Sequence, residues 1–178
     1  MPLPPPRCPR LLAVSLAVLV CGHALADELS EVMRLRMTGH ATEALDRATR
    51  HLAQNPRDAA MRFQQGVLLA DSGRPAQAIE VFAQLTQDHP ELPEPYNNLA
   101  ALYASLGEVD KARSALEKAL RSHPGYAAAH ENLGDIYIVL ARRAYARAAE
   151  LEPTNATVLP KLALLRQLAL PGGAAAPR

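Results

Sequence analysis

Residues 93–124 read PEPYNNLAALYASLGEVDKARSALEKALRSHP, and the spacing within this stretch decides the fold. Tyr96, Leu99, Tyr103 and Leu106 recur at three- and four-residue intervals, which puts one apolar stripe on a first helix. Ala112, Leu116, Ala119 and Leu120 put another on a second helix. Between them Gly107 can take the left-handed conformation that ends a helix, and Pro124 stops the second helix. The stretch therefore predicts a helical hairpin, which gains stability by stacking on neighbours of its own kind.

The neighbours are written in the same register. Pro56, Pro90 and Pro124 are spaced by 34 residues, as are Gly39, Gly73 and Gly107, and Ala44, Ala78 and Ala112. Small residues at Gly66, Ala100 and Gly134, with the three alanines, would let paired helices approach closely. Pro75 suits the first turn of a helix, where its missing N–H is no loss.

With Tyr96, Leu99, Ala100, Tyr103, Gly107, Ala112, Leu116, Ala119 and Pro124 at the signature places, the stretch resembles the tetratricopeptide repeat (TPR). The resemblance implies an all-α, TPR-like helical-hairpin solenoid of about three and a half repeats with C-terminal capping helices. Repeat 1 would cover 27–58 in degenerate form, repeat 2 59–92 and repeat 3 93–126. Residues 127–153 match a shortened unit whose turn is missing. A continuous stripe of Leu133, Tyr137, Leu140, Ala144, Ala148 and Leu151 predicts one long helix there, with a tight hairpin as the alternative. Residues 154–170, with Leu159, Leu162, Leu165 and Leu168, predict a final capping helix, and 171–178 a disordered tail. Self-association through Leu162, Leu165 or Leu168 would require that helix to be undocked.

Residues 1–26 stand apart from this pattern. Arg7 and Arg10, the apolar run Leu11 to Val20 and the small-x-small Ala24-Leu25-Ala26 predict a cleaved export signal, hence a periplasmic or secreted protein. Leu11 to Ala26 falls short of the roughly 20 apolar residues that span a bilayer, which argues against an uncleaved anchor. Val20, where a lipoprotein signal has Gly or Ala, argues against lipidation of Cys21. Cys8 and Cys21 are the only cysteines, so a processed chain would hold no thiol for disulfides, metal or catalysis.

The chain's 178 residues carry 19 basic and 18 acidic side chains, a formal charge of +1, with 4% aromatics and no Trp. This near-neutral balance disfavours a general nucleic-acid binder, which needs a basic stripe to displace counterions. No Walker loop, dinucleotide fingerprint, nucleophile elbow or His-Glu-x-x-His string occurs, so the expectation is a non-enzyme without cofactors. His89 and His123 are equivalent positions in successive units, not members of one coordination sphere, and no metal site is expected with them or with His130.

By resemblance, the first helices line a concave groove, here through Phe63, Val67, Asn97, Ala101, Glu131, Asp135 and Ile138, with Ala70, Asp71 and Ala104. These residues include no Lys or Arg, which disfavours the family's capture of a C-terminal carboxylate. The mixture would suit a peptide of a protein partner with an apolar part and a basic part. Asn97 and Asn98 could hydrogen-bond a peptide backbone. A structural role remains open for each: Phe63 packing between units, the acids as a solvated face, the asparagines in local capping. The expected function is a non-catalytic periplasmic scaffold or adaptor. The alternatives are a subunit of an envelope assembly machine for secretion, pili or the outer membrane, and an accessory to peptidoglycan or cytochrome maturation.

Overall fold

A computed structural model of the chain describes residues 28–168. The expected export signal over 1–26 and the expected tail over 171–178 lie outside the described residues. Within them the chain is all-α with no strand: α1 over 28–37, α2 (Ala41–Gln54), α3 (Ala59–Asp71), α4 (Pro75–Asp88), α5 (Pro93–Ser105), α6 (Val109–Ser122), α7 (Ala127–Leu151) and α8 (Val158–Gln167). Each helix packs on the next in sequence from α2 onward, and α3, α5 and α7 also touch in succession, which makes a right-through stack of hairpins, a solenoid.

The turns follow from glycine. Gly39, Gly73 and Gly107 have φ of 82°, 70° and 75°, the left-handed region that costs a side chain and is free for glycine. At Gly107 the reversal is sealed by Gly107 N–H to the Ala104 carbonyl at 3.0 Å and Glu108 N–H to the Tyr103 carbonyl at 2.9 Å. Two bonds of that geometry let α6 fold back on α5 while satisfying carbonyls that the helix end leaves open. The same pattern repeats at the other two glycines.

Packing then joins the hairpins through two clusters. Val32, Leu35, Ala44, Ala48, Met61 and Leu68 bury the first seam. A larger cluster runs from Val67 to Ile136 and holds Phe82, Leu85, Ala112, Leu116 and Ala119 with no exposed surface. Gly66 faces Phe82 so closely that a Cβ there would lie 2.7 Å from the ring. Gly134, at the same register two units later, has nothing within 4 Å of such a Cβ. The close approach expected at Gly134 is therefore absent: α7 is one uninterrupted helix of 25 residues, and no neighbouring helix comes close at this position.

The uninterrupted helix also changes which side of α7 is covered. Ala129 and Ile136 are its buried residues, whereas Tyr137 is 52% and Leu151 68% exposed, so the stripe expected through Tyr137 and Leu151 is not a buried seam. The half beyond Leu140 outruns α6 and carries α8 instead. α8 docks through Val158 and Leu162, with Pro160 in its first turn and Leu159 and Leu168 exposed. Leu162 is thus used within the chain and is not free for self-association. No helix among the described residues is long and apolar enough to cross a membrane.

Candidate functional site

The 34-residue register places Leu29, Phe63, Asn97 and Glu131 at one corresponding position of α1, α3, α5 and α7. Along this row the chemistry changes from apolar at the first unit to acidic at the last. Each side chain keeps its place because the helix beneath it is fixed by the seams described above.

At the polar end, Asn132 Nδ2 donates to Asn97 Oδ1 at 2.8 Å and bridges α5 to α7. Asn97, Ala101, Asp135 and Ile138 are half-buried, and Glu131 is exposed. Neither Glu131 nor Asp135 makes an ion pair among the described residues. A donor from outside the chain can therefore reach two uncommitted carboxylates next to a fixed amide pair.

Two of the expected groove residues lie inside the stack. Val67 is 3% exposed and belongs to the core. Asn98 is 4% exposed and donates Nδ2 to the Glu94 carbonyl of its own helix at 2.9 Å. The register predicts a helix face, but the neighbouring unit's approach decides how far that face is covered. The groove also holds a cation that the sequence reading overlooked. Arg36 occupies in α1 the place of Ala70 in α3, and Asp71 meets it at 3.5 Å.

At the apolar end, Phe63 has both of its candidate roles. Its ring packs against Phe82, centroids 5.5 Å apart and planes 59° tilted, and it also lines a cavity of about 420 Å³. Leu29, Leu85 and Leu92 form other walls, and Gln64 and Glu94 supply polar groups. Gln64 Oε1 is buried with no hydrogen-bond partner among the described residues. Glu94 is exposed and unpaired, and its charge, after the larger effect of burial, pushes the Tyr126 hydroxyl pKa upward. No α7 residue lines this cavity, so Phe63 is not brought together with Glu131 or Asp135. Gln64, Glu94 and Asn132 were not among the expected site residues. Adding 34 to Ala60 reaches Glu94, and adding it to Asn98 reaches Asn132, a signal the sequence does contain.

Among the described residues, no group of three or more His, Cys, Asp or Glu is placed to hold a metal ion. The site is a surface of amides, carboxylates and an apolar recess.

Comparison with known proteins gives the same architecture. Family profiles described as tetratricopeptide repeat match residues 30–93 and 69–133. The probable biofilm formation methyltransferase WspC of Pseudomonas putida KT2440 is 31% identical over 124 residues, 67% of this chain and 29% of that protein. The chain thus spans less than a third of that relative's length. The crystal structure of MamA aligns with a TM-score of 0.60 at 21% identity, covering 81% of each chain. The crystal structure of YrrB, described as a TPR protein with an unusual peptide-binding site, aligns with a TM-score of 0.56 at 27% identity, covering 58% of this chain and 54% of that one.

Proposed function

The chain belongs to the tetratricopeptide repeat family, and from that premise we propose that it is a non-catalytic scaffold, exported with a cleaved signal over residues 1–26, that binds a peptide segment of a protein partner along the α3, α5 and α7 face. The observation that carries this reading is the Asn97–Asn132 pair. Because Asn132 Nδ2 donates to Asn97 Oδ1, the Asn97 amide N–H groups and the Asn132 carbonyl remain for the acceptor and donor of a peptide unit. Such contacts hold backbone without selecting sequence, while Glu131 and Asp135 favour basic residues. YrrB, at 27% identity, is described as having a peptide-binding site, which supports the same use of this fold.

The test is crosslinking in the native envelope followed by mass spectrometry, then affinity measurements on the partner recovered. Asn132→Ala and Asp135→Asn should each weaken that partner about tenfold. Unchanged affinity in both would overturn the groove as the binding surface. Recovery of the protein only from the cytoplasm with residues 1–26 intact would overturn export. Recovery of secretion, pilus or outer-membrane components would make the scaffold a subunit of an envelope machine.

A further inference from the structure

The cavity beside Phe63 has a composition that backbone binding does not use. We infer that it is an anchor pocket for the side chain of a basic residue, arginine or lysine, in a bound peptide. The inference rests on the peptide-binding reading and names the residue class that reading leaves open.

The walls and the polar groups point to the same guest. Leu29, Phe63, Leu85 and Leu92 help to line an open recess of about 420 Å³, ample for a three- or four-methylene stem. Phe63 contributes an aromatic wall, a ring type that attracts cations. The one charged group among the lining residues is the exposed, unpaired Glu94 carboxylate. An apolar guest would leave the Glu94 carboxylate without a counter-charge. An acidic guest would meet Glu94 with like charge. A long apolar stem that ends in N–H donors and a positive charge suits the walls and the carboxylate together.

The register shows that this lining belongs to one junction. Leu85 and Leu92 occupy the two places held one unit earlier by His51 and Asp58, which bond each other at 2.8 Å, and one unit later by Ala119 and Tyr126. The junction of the second and third units alone combines two leucines there with Phe63 and an acid at position 94. Glu94 lies on the same helix as Asn97, so a peptide held by the amide pair would run toward the pocket.

The test uses single-residue probes that need no partner. The full chain is titrated with N-acetyl-arginine methylamide, N-acetyl-lysine methylamide and the uncharged N-acetyl-norleucine methylamide while the methyl NMR signals of Leu29, Leu85 and Leu92 are followed. Both cationic probes should give saturable shifts, with norleucine at least about tenfold weaker. Glu94→Gln, at an exposed position, should weaken the cationic probes about tenfold and leave the circular dichroism melt unchanged. Equal or tighter binding of norleucine would overturn the assignment. So would cationic binding insensitive to Glu94→Gln, or the absence of any saturable shift. Failure here leaves the Asn97–Asn132 surface standing, whereas insensitivity of a captured partner to Asn132→Ala leaves this titration unaffected.

Discussion

His51 Nε2 lies 2.8 Å from Asp58 Oδ2, and Oδ1 of the same carboxylate receives the Met61 N–H at 3.0 Å. One side chain therefore ties the last turn of α2 to the first turn of α3 and caps the latter. At the corresponding places before α5 and α7 stand Leu92 and Tyr126, which make no side-chain cap bond. Asp58→Ala removes the cap and strands a His ring whose side chain is only 6% exposed. The expected loss is about 2–3 kcal/mol in urea denaturation. His51→Leu should cost less, because Asp58 is partly solvated and keeps Met61. A double-mutant cycle should give a coupling of about 1 kcal/mol, and a value near zero would show that the two ends are held independently.

Two glycines at one register should respond to alanine with opposite signs. At Gly66 the added methyl lies 2.7 Å from Cε1 and Cζ of Phe82, a fully buried ring also packed by Phe63. The ring can move only by disturbing the seam, so Gly66→Ala should destabilise by about 1–3 kcal/mol. At Gly134 the methyl meets nothing, and the position is interior to α7. Gly134→Ala should stabilise by about 0.5–1 kcal/mol through helix propensity. Thermal melts of the two variants moving in the same direction would contradict this packing.

The contrast between these glycines shows which features the sequence makes legible. The turn glycines, the hairpin helices and Pro75 are local demands, and the 34-residue spacing exposes them directly. Exposure is not local. Periodicity marks Tyr137 and Leu151 as one face of α7, but only a neighbouring helix could bury that face; Leu151 lies in the half that outruns α6, and Tyr137 lies on a side of α7 that no neighbour covers. Likewise Val67 carries a groove register and is buried by the depth at which adjacent units interlock. Asn98 turns to its own helix while Asn132, its counterpart one unit on, reaches Asn97, a difference set by the rotation between hairpins and invisible in residue type. The cavity combines residues from four helices with a backbone gap, so its walls were in the sequence but its volume was not.

A guanidinium pins the last helix to the end of the solenoid. Arg142 donates from Nε and Nη2 to the Leu165 carbonyl at 2.9 and 2.6 Å, and from Nη2 to the Leu168 carbonyl at 2.7 Å. These carbonyls close α8, where a cation also meets the negative end of the helix dipole. Few apolar contacts reinforce the docking, since only Val158 and Leu162 of α8 are buried. Arg142→Ala should raise amide hydrogen exchange across residues 158–168 by about tenfold while α2 to α6 keep their protection. Arg142→Lys should rescue little of it, because an ammonium cannot place two donors in the same fork. Equal protection in all three proteins would show that α8 is held without the guanidinium, by Val158, Leu162 and the Lys161 ammonium over the Tyr145 ring.

The first helix is fastened by charge, which makes its stability depend on pH with a definite sign. Arg47 donates to Glu28 from Nε at 2.7 Å and from Nη2 at 3.1 Å, joining α1 to α2. That hydrogen bonding, opposed by burial and aided by the Arg47 charge, holds the Glu28 carboxyl below its ordinary value of 4.5. Unfolded Glu28 therefore takes up a proton more readily than folded Glu28, so stability rises with pH through this region. The contribution is complete above the unfolded value and disappears as pH falls through the lower folded one. Asp88, lowered first by its bond from Arg62, acts with the same sign and remains in a Glu28→Gln variant. The stability difference between the wild type and Glu28→Gln should thus be largest near neutrality and shrink steadily between about pH 5 and 3. A difference independent of pH over that range would mean that the carboxylate's charge contributes nothing to holding α1 on α2.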